Sequence, residues 1–361
     1  KGAELDKDVL ADLVVRAVQG VTVEADDGSH VVDLANLNIE TRTGRAAGES
    51  RLLTGAAIDK DPVHDDMPTD FESANVLLLN DPIEVEEADV DTSVNVDSPD
   101  QLQKFLDQEE KQLREKVQAI VDVGADVVFC QKGIDDMAQH YLAKEGILAV
   151  RRAKKSDIAF LRDVVGGAVV SDVTSVTEAD LGHGSVRRDA DDELFYVEGH
   201  GDEAHGVTLL LRGSTDHVVD EIERGVEDAL DVVSTTVSDG RVVSGGGAIE
   251  VEVARKLRSY ASTVSGREQL AVEAFADAVE LVPRVLAGNA GLDSIDTLVK
   301  IREAHENGDV HAGLNVFTGD VEDTFDAGVV EPAHSKEQAL SSATEPTRPR
   351  LISYAVFCLK K

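Results

Sequence analysis

From Arg224 to Glu250 the chain reads RGVEDALDVVSTTVSDGRVVSGGGAIE, an amphipathic helix with a carboxylate in its middle followed by three consecutive glycines. Val226, Leu230, Val233 and Val237 recur at helical spacing and predict the buried face, so Asp228 stands where packing asks for no acid. A carboxylate there can accept a hydrogen bond from water and orient or deprotonate it. Gly245, Gly246 and Gly247 remove every β-carbon from one turn, which lets the backbone approach a ligand with its N–H groups exposed. A new helix is expected from Ala248, with Ile249, Val251, Val253 and Ala254 as its apolar positions. Acid and turn together suit contact with a nucleotide. Taken singly, the turn suits a plain helix–helix connection equally well, and the acid a solvated helix surface.

Other chemistry is poorly supported. Neither GxGxxG nor GxxxxGK[ST] occurs, so the common phosphate-binding fingerprints are missing. No paired catalytic acid and base is evident, which leaves little for a metabolic enzyme that would use the triple glycine on a phosphorylated substrate. His140 has no second metal-type residue at helical spacing and reads as structural, so no metal site is expected. Cys130 and Cys358 share no ligand spacing, and two cysteines in such a chain point to a reducing cytoplasm. No apolar run reaches the length of a membrane span and no signal peptide is visible.

The elements that must position these residues follow from periodicity. Val9, Leu10, Leu13, Val14 and Val18 predict an opening helix over Asp8 to Val21, and LANLNIETRTG reads as strand and turn. From about Leu52, short apolar runs such as NVLLLND, ADVVFCQ, GILAVRR and GVTLLLRG alternate with helical stretches, the pattern of an α/β domain. From Val243 the pattern is almost wholly helical, with short strand-like pieces near Asn315 to Thr318. Ser98, Pro99 and Gln101 make a helix start. In the helix that follows, Leu102, Leu106, Leu113, Val117 and Ile120 are sparse at first and denser later, which predicts a protruding tip.

The 71 acidic and 35 basic side chains leave a net charge of −36, and the acids are spread through periodic apolar segments rather than gathered in a tail. A solvated surface adapted to high salt accounts for this, as do the excess of arginine over lysine and the absence of tryptophan. Nucleic acid is a poor partner for such a surface.

Four long blocks in order carry a resemblance: GADVVFCQKGIDDMAQHYLAKEGILAVRRAKKSDI, VTLLLRGSTDHVVDEIERGVEDAL, SGREQLAVEAFADAVELVPRVLAGNAGLD and LNVFTGDVED. With VEDAL and SDGRVVSGGGA they resemble the group II chaperonins, the archaeal thermosome subunits and their cytosolic eukaryotic relatives, from Lys1 to about Glu345. The resemblance implies a multidomain α/β and all-α architecture. Residues 1–50 and 208–242 would form a small intermediate domain, and residues 51–207 an α/β apical domain with a helical lid protrusion near Asp91 to Gln112. Residues 243–361 would be the helical half of an equatorial domain.

The same resemblance implies ATP and magnesium as cofactors, unfolded polypeptides as clients, and other subunits of a double ring as partners. Asp228 would position the attacking water, Gly246 would touch the nucleotide through its backbone, and Glu331 would bond the ribose hydroxyls. Asn315 would be a further nucleotide contact, and Lys1 would belong to the loop that senses the terminal phosphate. Met137, Tyr141, Ile158 and Leu161 on two apical helices would meet substrate. A helix-start acid before Pro332 is the plainer reading of Glu331, and core packing the plainer reading of the apical four.

Two departures accompany the likeness. The family's GDGT phosphate loop and magnesium-ligating aspartate do not occur here, and KGAELDKDV reads as a chain entered in mid-domain. The expectation is weak ATP binding without turnover. After SSATE the sequence becomes PTRPRLISYAVFCLKK, where Pro346 and Pro349 would end the helix. A shifted reading frame or truncated product would account for it.

Overall fold

A computed structural model describes residues 7–25, 28–85, 99–201 and 206–344. They fall into two compact units, Lys1–Leu230 and Asp231–Lys361. Lys1, residues 91–98 of the expected lid, and the altered end after Thr344 lie outside the described residues.

The first unit opens with α1 (Lys7–Gly20), whose Leu10, Leu13, Val14, Ala17 and Val18 are buried as the spacing predicts. A hairpin of β1 (Thr22–Glu24) and β2 (His30–Val32) follows. Then come β3 (Leu37–Thr43), β4 (Arg51–Thr54), β5 (Ala56–Ile58) and β6 (Asp70–Leu79). Next are α2 (Pro99–Asp122), β7 (Val127–Cys130), α3 (Asp136–Lys144), β8 (Leu148–Val150), α4 (Lys155–Val165) and β9 (Val169–Val170). The unit finishes with β10 (Gly182–Asp189), β11 (Leu194–Gly199), β12 (Val207–Gly213) and most of α5 (Asp216–Asp239).

Two sheets result. The larger has the order β5-β11-β10-β6-β7-β8, with β9 beside β6; β6, β7, β8 and β9 pair in parallel and the rest antiparallel. Leu77, Leu78, Leu79, Val127, Val128 and Phe129 are fully buried, so the parallel strands read as continuous apolar runs because both faces are covered. Leu113, Val117 and Ile120 fix the later turns of α2 into this core. The smaller sheet has the order β3-β12-β4, parallel then antiparallel. Arg51–Thr54, which the sequence reading groups with the α/β segment after it, pairs instead with β12 of this smaller sheet.

Cys130 belongs to the larger core. Its Sγ lies 3.3 Å from the Asp81 carbonyl oxygen, and burial pushes the thiol up to about 12. At pH 8 its alkylation in the native protein is expected to run roughly a thousandfold slower than that of a free thiol, because only the thiolate reacts. Peptide mass spectrometry after timed iodoacetamide quenching checks this; labelling at the free-thiol rate would mean the strand opens.

The second unit contains β13 (Val242–Ser244), α6 (Ala248–Ala261), α7 (Arg267–Val279), α8 (Leu281–Asn289) and α9 (Ser294–Glu306). These are followed by β14 (Ala312–Leu314), β15 (Val321–Asp323), β16 (Val330–Pro332) and α10 (Ala333–Thr344). Its core gathers Val251, Ala287, Leu298, Ile301 and Leu314. Asp293 caps α9, accepting from the Ile295 and Asp296 N–H groups at 2.9 Å each. The strand-like pieces expected near Asn315 to Thr318 are β14 and β15, which pair with each other on either side of a turn through those residues, and β13 pairs with β16. The division between the two units falls within the continuous helix α5.

Candidate nucleotide site

The glycine turn links β13 to α6 and is held tightly. The Gly245 N–H donates to the Val329 carbonyl (2.9 Å), Thr324 Oγ1 donates to the Gly245 carbonyl (3.1 Å), and the Leu314 N–H donates to the Gly246 carbonyl (2.8 Å). Gly246 has φ +64° and Gly247 φ +82°, the left-handed region that only glycine enters freely. A β-carbon on Gly246 would lie 2.8 Å from the Leu314 carbonyl oxygen, and one on Gly247 2.5 Å from Pro283 Cβ. The missing β-carbons therefore serve packing against β14 and α8, as the plain-connection reading of the turn allows.

Backbone donors beside this packed turn are left without partners: among the described residues no acceptor pairs with the N–H groups of Gly246 and Gly247, nor with those of Ile249 and Glu250 in the first turn of α6. Four free donors at the positive end of a helix suit a phosphate or other anion.

The turn brings Gly246, Asn315 and Glu331 into one neighbourhood. Asn315 directly follows the residue bonded to Gly246, and Glu331 lies opposite Val243 in the β13–β16 pair. Glu331 Oε1 comes within 3.3 Å of where a β-carbon of Gly245 would stand. The Asn315 amide is already engaged: its Oδ1 accepts from the Phe317 and Thr318 N–H groups, and its Nδ2 donates to Glu322 Oε1 at 2.9 Å. It shapes the β14–β15 turn before it could touch any ligand.

Lys336 of α10 was not singled out in the sequence, yet its ammonium joins Glu331 and Glu250, donating to Glu250 Oε1 at 2.8 Å and pairing with Glu331 Oε2. Burial alone would lower its pKa, but the two carboxylates outweigh that and raise it. No motif spacing links these residues, so only the fold reveals the cluster.

The remaining expected residues lie in the first unit. Asp228 is exposed on α5; of the face expected to be buried, Val226 and Leu230 are buried while Val233 and Val237 are half-buried. Met137 is 44% exposed on α3. Tyr141 is half-buried, donating to Glu110 Oε1 at 3.0 Å beneath the Arg114 guanidinium. Ile158 and Leu161 are corrections: at 2% and 0% exposure they pack in the core of the larger sheet and present no surface to a client. An amphipathic period marks the apolar face of a helix without saying whether protein or client covers it.

Comparison with known proteins follows the same outline. Residues 1–348 match the TCP-1/cpn60 chaperonin family. Thermosome subunit 2 of Haloferax volcanii is 74% identical over 345 residues, covering 96% of this chain and 62% of that protein. Thermosome subunit beta of Halobacterium salinarum is 71% identical over 346 residues, with the same coverage. The chain thus spans about three-fifths of the length of these relatives. Among solved structures, the open-state monomer of a group II chaperonin from Methanococcoides burtonii is 42% identical, with a TM-score of 0.73 over 95% of this chain and 80% of that one.

Proposed function

Because this chain belongs to the TCP-1/cpn60 chaperonin family, as a group II, haloarchaeal-like member, we propose that it serves in a double-ring chaperonin that binds unfolded polypeptides and couples ATP hydrolysis to their folding. The observation that carries this is the meeting of the glycine turn, the open end of α6 and Glu331 in one place. In this reading the free N–H groups of Gly246, Gly247, Ile249 and Glu250 receive phosphate oxygens, and Glu331 accepts from the ribose hydroxyls. Asp228 of the first unit is an exposed carboxylate, chemically able to accept a hydrogen bond from water. Magnesium would supply charge neutralisation at the phosphates. Among the described residues no three His, Cys, Asp or Glu side chains gather to hold it. The cytoplasm is the proposed setting; no described helix is long and apolar enough to cross a membrane.

A second reading, a holdase that works without nucleotide, is favoured by the exposed Met137 of α3 on the α/β unit. Light scattering separates the two. A guanidinium-denatured test protein is diluted into molar KCl with this chain, with and without Mg-ATP. Nucleotide coupling predicts that ATP changes the suppression of aggregation by twofold or more. Equal suppression in both arms would leave the holdase, and no suppression in either would remove both readings.

A further inference from the structure

The two sheets of the first unit meet at a junction with little apolar glue. The chain crosses between them twice, at Gly55 between β4 and β5 and at the connection from β11 to β12 that ends in Gly206. The two glycines are bonded to each other, Gly55 N–H to the Gly206 carbonyl at 2.8 Å, and Thr208 Oγ1 donates to the Gly55 carbonyl at 2.8 Å. Gly55 has φ +85°, and a β-carbon there would lie 2.0 Å from the Val197 carbonyl oxygen. Among the described residues the apolar cluster at the junction gathers Ala57, Leu194, Tyr196 and Leu210, with Leu53 against it.

What spans the junction instead is charge. Asp192, in the β10–β11 turn of the larger sheet, is 6% exposed. Its carboxylate pairs with Arg212 of β12 and accepts from Arg51 Nη2 of β4 at 2.8 Å, while the Arg42 Nε of β3 donates to its backbone carbonyl at 3.2 Å. Every strand of the smaller sheet thus sends one guanidinium to a single residue of the larger. Tyr196 closes the cluster, donating to Asp192 Oδ2 at 2.6 Å and accepting from Arg51 Nη2 at 2.7 Å.

We propose that Asp192 is a clasp that sets the angle between the two sheets across the Gly55–Gly206 crossing. At the crossing Gly55 packs close against the Val197 backbone and Gly206 against Val164 and Phe160, but a five-residue apolar contact has little shape to fix an angle between whole sheets. A buried ion cluster does fix it, because bidentate and charge-assisted bonds are directional and a displaced buried charge loses its partners. The clasp also survives molar salt, which screens exposed pairs far more than buried ones. The inference concerns the first unit only and stands whether or not a nucleotide binds the second.

The test uses the full 361-residue chain with Cys358→Ser, leaving Cys130 buried and unlabelled. Spin labels at Ala46→Cys, beyond β3, and Lys144→Cys, on α3, report the angle by pulsed dipolar spectroscopy in molar KCl. A single narrow distance distribution is expected for the parent, and one at least twice as wide for Asp192→Asn. Amide exchange in β6 and β7 should stay unchanged, which a general loss of stability would not allow. If Asp192→Asn does not fold, Arg51→Gln decides, since it removes one exposed arm and leaves the buried Asp192–Arg212 pair. Its distribution should be wider than the parent's. An unchanged width in the folded variant overturns the clasp, as does widening accompanied by fast exchange in β6 and β7.

Discussion

Replacing Glu280 by alanine is expected to cost the second unit about 3–5 kcal/mol, the range for breaking a buried ion pair from one side. Glu280 sits between α7 and α8 at 1% exposure, and both its oxygens are taken. Arg258 Nη1 donates to Oε1 at 2.7 Å and Arg302 Nε to the same oxygen at 2.8 Å, while the second nitrogen of each guanidinium reaches Oε2. Without the acid, two cations from α6 and α9 face each other with nothing between them. Glu280→Gln keeps the shape and one acceptor, so its loss should be smaller. Denaturant unfolding followed by helix circular dichroism in molar KCl ranks them; equal stability of parent and Glu280→Ala would show that the cluster contributes nothing.

The same residue gives a pH signature. Burial alone would raise the pKa of Glu280, but Arg258 and Arg302 outweigh it and bring the carboxyl to about 2 from an ordinary value of 4.5. Glu252 is also held at about 2, by its bond to Arg255 against burial, with His305 adding to the effect. A folded pKa below the unfolded one means stabilisation that is complete above about pH 5 and is lost as pH falls towards 2. For a shift of this size the contribution is on the order of 3 kcal/mol. Repulsion among the other acids is relieved over the same range and works the other way, so variant and parent must be compared at each pH. Glu280→Gln should flatten the fall; an identical slope would remove Glu280 as its source.

Periodicity was informative where one face of an element is buried along its whole length. The faces of α1 and α5, the start of α2 at Pro99, and the run from Val127 to Cys130 could all be read from spacing, because burial repeats at the period of the backbone. The three-residue strands β13 to β16 are too short to show alternation, so only the neighbourhood of β14 and β15 reads as strand-like and the rest of that stretch reads as helical. Clusters escaped for a different reason. Arg258, Glu280 and Arg302 are 22 residues apart in each step, and Asp192 meets Arg51 across 141, so no local pattern records them. At the candidate site the glycines were visible as residue types out of place and Glu331 entered only through the family resemblance, whereas Lys336 looked like any surface lysine. Ile158 and Leu161 show the converse limit, since one apolar stripe serves core and contact alike.

Gly246→Ala tests whether the turn does more than connect two elements, and Gly240→Ala is its control. Both glycines have positive φ, +64° and +66°, so alanine costs each about 1 kcal/mol of backbone strain. They differ in what the new methyl meets. Beside Gly240 there is open space within 4 Å, while beside Gly246 the Leu314 carbonyl and amide stand at 2.8 and 3.0 Å. Those atoms belong to β14 and have no rotamer to turn away with, so the strand itself must shift, for a total loss of about 3 kcal/mol. That shift also moves the Gly246–Leu314 bond and the neighbouring free N–H groups. ADP, titrated against the folded variants by ligand-observed NMR, should bind Gly246→Ala at least tenfold more weakly than the parent and Gly240→Ala equally well. If Gly246→Ala loses stability but keeps its affinity, the turn is a connection that packing alone explains, and the nucleotide belongs elsewhere.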